Sequence, residues 1–119
     1  MMMKPKILII DDEPVIHSLF EHMFKDSEYE VKCVSNGRDG LKYIEENFGA
    51  IQIVVLDFGL PINNGDFICQ RIKNLYPKTP VVIFSGVLDE ERAQACFLAG
   101  ADAVIKKGDA PLIEAAVKN

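Results

Sequence analysis

Four apolar stretches of this chain end on a charged or reactive side chain. "KILIID" (6–11) ends on Asp11, with Asp12 directly behind it, and "IQIVVLD" (51–57) ends on Asp57. "TPVVIFSG" (79–86) closes on Ser85 and Gly86, and "ADAVIK" (101–106) ends on Lys106, followed by Lys107. Carboxylates held close together resist ionising at once unless a cation joins them. Oxygen-only ligands on a small site suit Mg²⁺, which keeps several waters and accepts one or two carboxylates. An ammonium and a hydroxyl beside such a site fit a further chemistry, because metal, lysine and serine can together surround the oxygens of a transferring phosphoryl group. Asp57 is then the natural nucleophile, since carboxylates form aspartyl phosphates. Neither histidine (His17, His22) nor any cysteine is expected at this edge, so the pattern does not suggest a transition-metal centre.

These residues meet only if the elements that carry them end on one side of a sheet. Strand-like stretches at 6–11, 30–35, 51–57, 79–86 and 101–106 alternate with helical ones at 13–25, 37–49, 65–76, 89–100 and 110–118. Five βα units joined by short loops predict an α/β fold, a doubly wound parallel sheet with helices on both faces. The second strand, "EVKCVS", alternates apolar and polar residues and so suits an edge, whereas the first and third are apolar throughout. That favours the flavodoxin-like order 2-1-3-4-5, in which ligands bind beyond the carboxyl ends of the strands near the first and third. In the first helix, apolar residues at 15, 16, 19, 20, 23 and 24 form one stripe. In the second, Leu41, Ile44 and Phe48 share a side.

At 119 residues the chain is expected to form one domain, 1–119. Its net charge of −5 comes without any basic stripe, which argues against direct binding to nucleic acid. No apolar run approaches the ~20 residues of a membrane span, and "MMMKPK" lacks a signal-peptide core. A cytoplasmic location is expected. Cys33, Cys69 and Cys96 are an odd set without a CxxC pair, expected to be small buried hydrophobes rather than disulfide or zinc ligands.

Together these stretches resemble the receiver domain of two-component response regulators, essentially from end to end. "IDDE" resembles the family's acidic pair, "DFGLPINNG" its segment around the acceptor aspartate, "FSG" its Ser/Thr and small residue, and "GADAVIKK" the close of its fifth strand. The resemblance implies that Asp57 is the phosphoacceptor and that Asp12 and Asp57 hold Mg²⁺ directly. It further implies that Asp11 helps through water and that the Gly59 backbone carbonyl is another ligand. Ser85 and Lys107 would contact the phosphoryl oxygens; counting from Gly100 selects Lys107 rather than Lys106. Implied partners are a sensor histidine kinase or histidine phosphotransfer protein and a downstream effector, engaged through the fourth helix, fifth strand and fifth helix. A homodimer through that face also belongs to this expectation. Two positions depart from the family pattern: Gly108 stands where a proline commonly follows the lysine, and Val104 where strand five usually carries an aromatic ring.

Taken singly, each feature has an ordinary reading. "DDEP" suits a helix start, Asp57 a solvated strand end, Ser85 a terminal hydroxyl and Lys107 a surface charge. Their convergence on one edge would separate these readings from phosphoryl chemistry. A Mg²⁺-dependent aspartyl-phosphate phosphohydrolase would place a second carboxylate two residues after the nucleophile, where this chain has Gly59. A receiver-like interaction module that is never phosphorylated would not need the acidic set. Gly59 and Val87, flanking the site, offer no side chain to position a hydrolytic water, so a slow self-dephosphorylation is expected; a side chain in place of Gly86 could crowd an incoming phosphoryl group.

Overall fold

Five parallel strands alternate with five helices in the computed structural model, which describes residues 4–60, 62 and 64–118. The strands are β1 (Lys6–Ile10), β2 (Glu30–Val34), β3 (Ile51–Asp57), β4 (Val81–Ser85) and β5 (Ala103–Lys106). The helices are α1 (Pro14–Met23), α2 (Gly37–Asn47), α3 (Gly65–Leu75), α4 (Glu90–Leu98) and α5 (Pro111–Lys118). A 3₁₀ turn, Lys107–Asp109, links β5 to α5. The sheet order is β2-β1-β3-β4-β5, as expected from the edge-like second strand.

Strand alternation explains how both faces are covered. Leu8, Ile10, Val54, Leu56 and Ile83 meet Ile44 of α2, Ile68 and Ile72 of α3, and Cys96 of α4. Ile7, Ile9, Val55 and Phe84 meet Phe20 and Phe24 from the α1 side, and Ile113 and Val117 of α5. All five residues of β1 and of β4 are buried, while β2 alternates between exposed and half-buried. Cys69 and Cys96 are buried as expected, and Cys33 is half-buried. Burial pushes their thiols up to about 11, away from thiolate chemistry.

Two apolar stripes are narrower than their sequence period suggests. On α1, Ile16 and Phe20 are buried, but Val15 is 69% exposed and Leu19 also faces outward. A single sheet face has room for about one row of a helix, so the outer row stays in solvent. Phe48 lies beyond the end of α2, 72% exposed, with its ring 6.1 Å from that of Tyr76. Pro61, which closes the acidic motif around Asp57, lies outside the described residues.

Register is what brings the charged strand ends together. Ile10 pairs with Leu56, so Asp11 and Asp57 each follow a paired residue on neighbouring strands. Asp57 pairs with Phe84, and Ser85 pairs with Lys106. Behind β3, helix α3 approaches so closely that only glycine fits at its first residue. A Cβ on Gly65 would sit 2.5 Å from the Asp57 carbonyl oxygen and 2.6 Å from Phe58 Cα. The Gly65 amide donates to the Phe58 carbonyl at 2.8 Å, tying the helix to the residue after Asp57. A Gly65→Ala variant is expected to lose about 1–3 kcal/mol, read as an earlier midpoint in urea unfolding.

Candidate functional site

Three strand ends and the 3₁₀ turn place Asp11, Asp12, Asp57, Ser85 and Lys107 at one edge of the sheet. One carboxylate oxygen from each of Asp11, Asp12 and Asp57 lies within 4.8 Å of the others. Asp57 and Asp12, with Ser85 and Lys107, line an open cleft of about 540 Å³. Asp11 and Asp57 are buried and Asp12 is exposed.

Lys107 is the cation that holds the acidic set together. Its Nζ is 3.1 Å from Asp11 Oδ2, 3.4 Å from Glu13 Oε2 and 3.5 Å from Asp57 Oδ1. Burial alone would lower the Lys107 pKa, but these three carboxylates outweigh it and raise it, so the ammonium stays protonated. Lys106 ends β5 and is exposed, while Lys107 begins the 3₁₀ turn. The turn, rather than strand alternation alone, aims Lys107 into the cleft. No cis peptide bond occurs among the described residues, and Gly108 continues the same turn.

Asp57 Oδ1 accepts the Gly59 amide at 3.1 Å, and Asp11 Oδ1 accepts the Glu13 amide at 2.9 Å. Burial and then the Asp11 charge push the Asp57 carboxyl above its ordinary value, against the pull of the Gly59 amide and Lys107. Burial does the same to Asp11. Asp11 Oδ2 is buried, and beyond the Lys107 ammonium at 3.1 Å it has no polar partner among the described residues. A buried carboxylate oxygen with no partner but an ammonium, in an all-oxygen donor set, fits a hard divalent cation.

Gly59 needs no special backbone conformation. Its φ is not in the left-handed region, and an added Cβ would meet only Asp57 Oδ1, at 3.9 Å. The turn thus needs the Gly59 amide and not its lack of a side chain. A Cβ on Gly86 would make only ordinary contact with the protein itself, 4.0 Å from Lys107 Cδ. The Ser85 hydroxyl donates to the Val87 carbonyl at 2.6 Å.

Three other residues belong to this region. His17 does reach the acidic edge, contrary to expectation, because α1 begins directly behind Asp11 and carries the ring back to it. His17 Nε2 is hydrogen-bonded to the Asp11 backbone carbonyl, supporting the loop rather than joining the carboxylates. Glu13 reaches Lys107, as noted. Arg92, from the first turn of α4, lines the cleft, with its guanidinium 5.7 Å from the centre of the Phe58 ring. Asp89 caps α4 by accepting the Arg92 amide at 2.8 Å. That cap was readable from "DEERAQ", and it starts the helix beside the Ser85 loop; the contact with Phe58 depends on tertiary placement.

The Salmonella typhimurium sensor histidine kinase RcsC is 33% identical over 102 residues, 85% of this chain and 10% of the kinase. The Enterococcus faecium regulatory protein VanR is 33% identical over 110 residues, 92% of this chain and 46% of that protein. The chain therefore spans from a tenth to under half the length of these relatives. A response regulator receiver domain protein from Clostridium thermocellum superposes with a TM-score of 0.86 at 30% identity, covering 96% of this chain and 91% of that one. The BeF3-activated DrrB receiver domain superposes at 0.84 with 32% identity, covering 98% and 96%. The model of the response regulator receiver domain matches residues 7–118. With that match, the βα order and the converged acidic edge, the chain belongs to the response regulator receiver domain family.

Proposed function

We propose that this chain is a phosphoacceptor switch in which Asp57 receives a phosphoryl group from a phosphohistidine. The observation that carries this reading is the convergence of Asp11, Asp12 and Asp57 around Lys107 at one sheet edge. An Asp57 carboxylate oxygen attacks phosphorus, the P–N bond breaks, and its electron pair leaves with the imidazole. Asp11, Asp12, Asp57 and the Gly59 carbonyl would hold Mg²⁺, which when bound neutralises the cluster and draws charge from the phosphoryl oxygens. Lys107 supplies a fixed positive charge to the same oxygens. Ser85, now bound to Val87, would turn to them after transfer.

In this reading the partners are a histidine kinase or histidine phosphotransfer protein and a downstream effector in the cytoplasm. The α4-β5-α5 face carries the signal, and a homodimer through that face would be one form of output. No helix among the described residues is long and apolar enough to cross a membrane. The protein acts on its own aspartate and does not turn over free substrates. Gly59 offers no carboxylate to serve as acid and base, which disfavours the phosphohydrolase.

The test is incubation with a small-molecule phosphodonor, with Mg²⁺ or with a chelator. A hydroxylamine-labile adduct that forms only with Mg²⁺ supports the switch. Steady release of phosphate without an adduct supports the hydrolase. The adduct is expected to persist for minutes, because neither Gly59 nor Val87 can hydrogen-bond a hydrolytic water through a side chain; decay within seconds would contradict that.

Acidification should weaken the metal site earlier than ordinary aspartates would. Burial holds the Asp11 and Asp57 carboxyls above their ordinary range, so protons compete for them at higher pH. Isothermal titration with Mg²⁺ should show affinity falling as pH drops through that raised range. An affinity that falls no earlier than that of a site built from ordinary aspartates would contradict it.

A further inference from the structure

The Val87 carbonyl has two side-chain donors, and they come from different parts of the switch. Ser85 Oγ donates to it at 2.6 Å, a short and strong contact. Arg92 Nη1 stands 3.5 Å from the same oxygen, at the outer limit of a hydrogen bond. Arg92 is also steadied from below by the ring of Phe58, the residue after Asp57. Its amide is fixed by the Asp89 cap, so its position reports on the first turn of α4. The aromatic ring absent from β5 leaves Val104 packed into the core beneath α4, with no polar group to follow Ser85.

We propose that Arg92 is a positioning residue that couples Ser85 to α4: when Ser85 leaves the Val87 carbonyl for a phosphoryl oxygen, Arg92 takes over that carbonyl. This rests on the phosphoacceptor reading above. While Ser85 holds the oxygen at 2.6 Å, Arg92 stands at 3.5 Å. Once Ser85 turns away, the carbonyl loses its strongest donor, and Arg92, already 3.5 Å away, closes to ordinary hydrogen-bond distance. The guanidinium is rooted in the first turn of α4, so that turn moves with it. Water is the competing donor, since Val87 is exposed. The guanidinium competes well because its charge strengthens the bond and the Phe58 ring already orders it. A short polar chain, Ser85 to Val87 to Arg92, thereby links the phosphoryl site to the first turn of α4.

The experiment uses beryllofluoride with Mg²⁺ as a phosphoryl mimic on the whole chain, read by ¹⁹F NMR for binding and by amide chemical shifts for α4. Arg92→Met keeps an apolar contact with Phe58 but has no donor, and Arg92→Lys restores charge and donor. Bound-fluoride signals should appear in all three proteins; their absence from the unsubstituted chain would instead overturn the phosphoacceptor reading. Amides 89–94 should shift in the unsubstituted protein, shift several-fold less in Arg92→Met, and recover in Arg92→Lys. A full α4 response in Arg92→Met would show that water or packing carries the change, and would overturn the proposal. Failure of Arg92→Lys to restore the response would also count against a donor role.

Discussion

Lys107→Met is expected to lose about 2–4 kcal/mol of stability in the absence of Mg²⁺ and to accept phosphoryl groups about 100-fold more slowly or worse. The stability loss follows from burial. The side chains of Asp11 and Asp57 are 2% and 7% exposed, and Lys107 is their nearest cation. Without it, like charges face one another across two strands with little water to screen them. The rate loss follows because a pre-placed ammonium near developing phosphoryl charge needs no reorganisation at the moment of transfer. The two effects separate on adding Mg²⁺. A divalent cation can replace Lys107 as the neutralising charge, so urea unfolding should show most of the stability restored. Phosphorylation should stay slow, because the lost donor to the phosphoryl oxygens is not replaced. Equal rescue of both would mean that Lys107 serves only the apo fold.

Mg²⁺ is expected to raise the melting temperature by about 10 °C at roughly a hundred times its dissociation constant. Asp57→Asn should reverse this behaviour in an informative way. Without metal it should melt above the unsubstituted protein, since a buried carboxylate held above its ordinary pKa by desolvation and by Asp11 has been neutralised. With metal it should gain far less, because one of the three clustered carboxylates proposed to hold it is gone. A crossing of the two melting curves as Mg²⁺ rises is the expected signature. Parallel curves would indicate that the cluster does not hold the cation.

Much of this arrangement could be read directly from residue order, and the reasons differ by element. The central strands were legible because a strand buried on both faces admits few polar residues, and β3 runs from Ile51 to Asp57 as its apolar run does. The order of the sheet followed from the half-polar pattern of β2, which marks an edge. Asp11, Asp12 and Asp57 were legible because strand ends on one edge must meet once that order is set. Side-chain direction was harder. The Ser85 hydroxyl turns to the Val87 carbonyl, a local choice between two acceptors that residue type does not decide. Periodicity placed Val15 and Leu19 in a stripe but cannot say how wide a stripe the sheet will cover. His17 and Arg92 depend on the angle at which α1 and α4 leave their loops. Gly65 was visible as part of a motif, yet its cause, the closeness of α3 to the Asp57 carbonyl, is purely tertiary.

Intact-mass measurement after incubation with a small phosphodonor and Mg²⁺ tests the role of Asp57 most directly. The unsubstituted protein should gain the mass of one phosphoryl group, and Asp57→Asn, folded and treated identically, should gain none. An unmodified mass in the unsubstituted protein with Mg²⁺ bound, or the same gain in Asp57→Asn, would contradict the assignment of Asp57 as the phosphoacceptor.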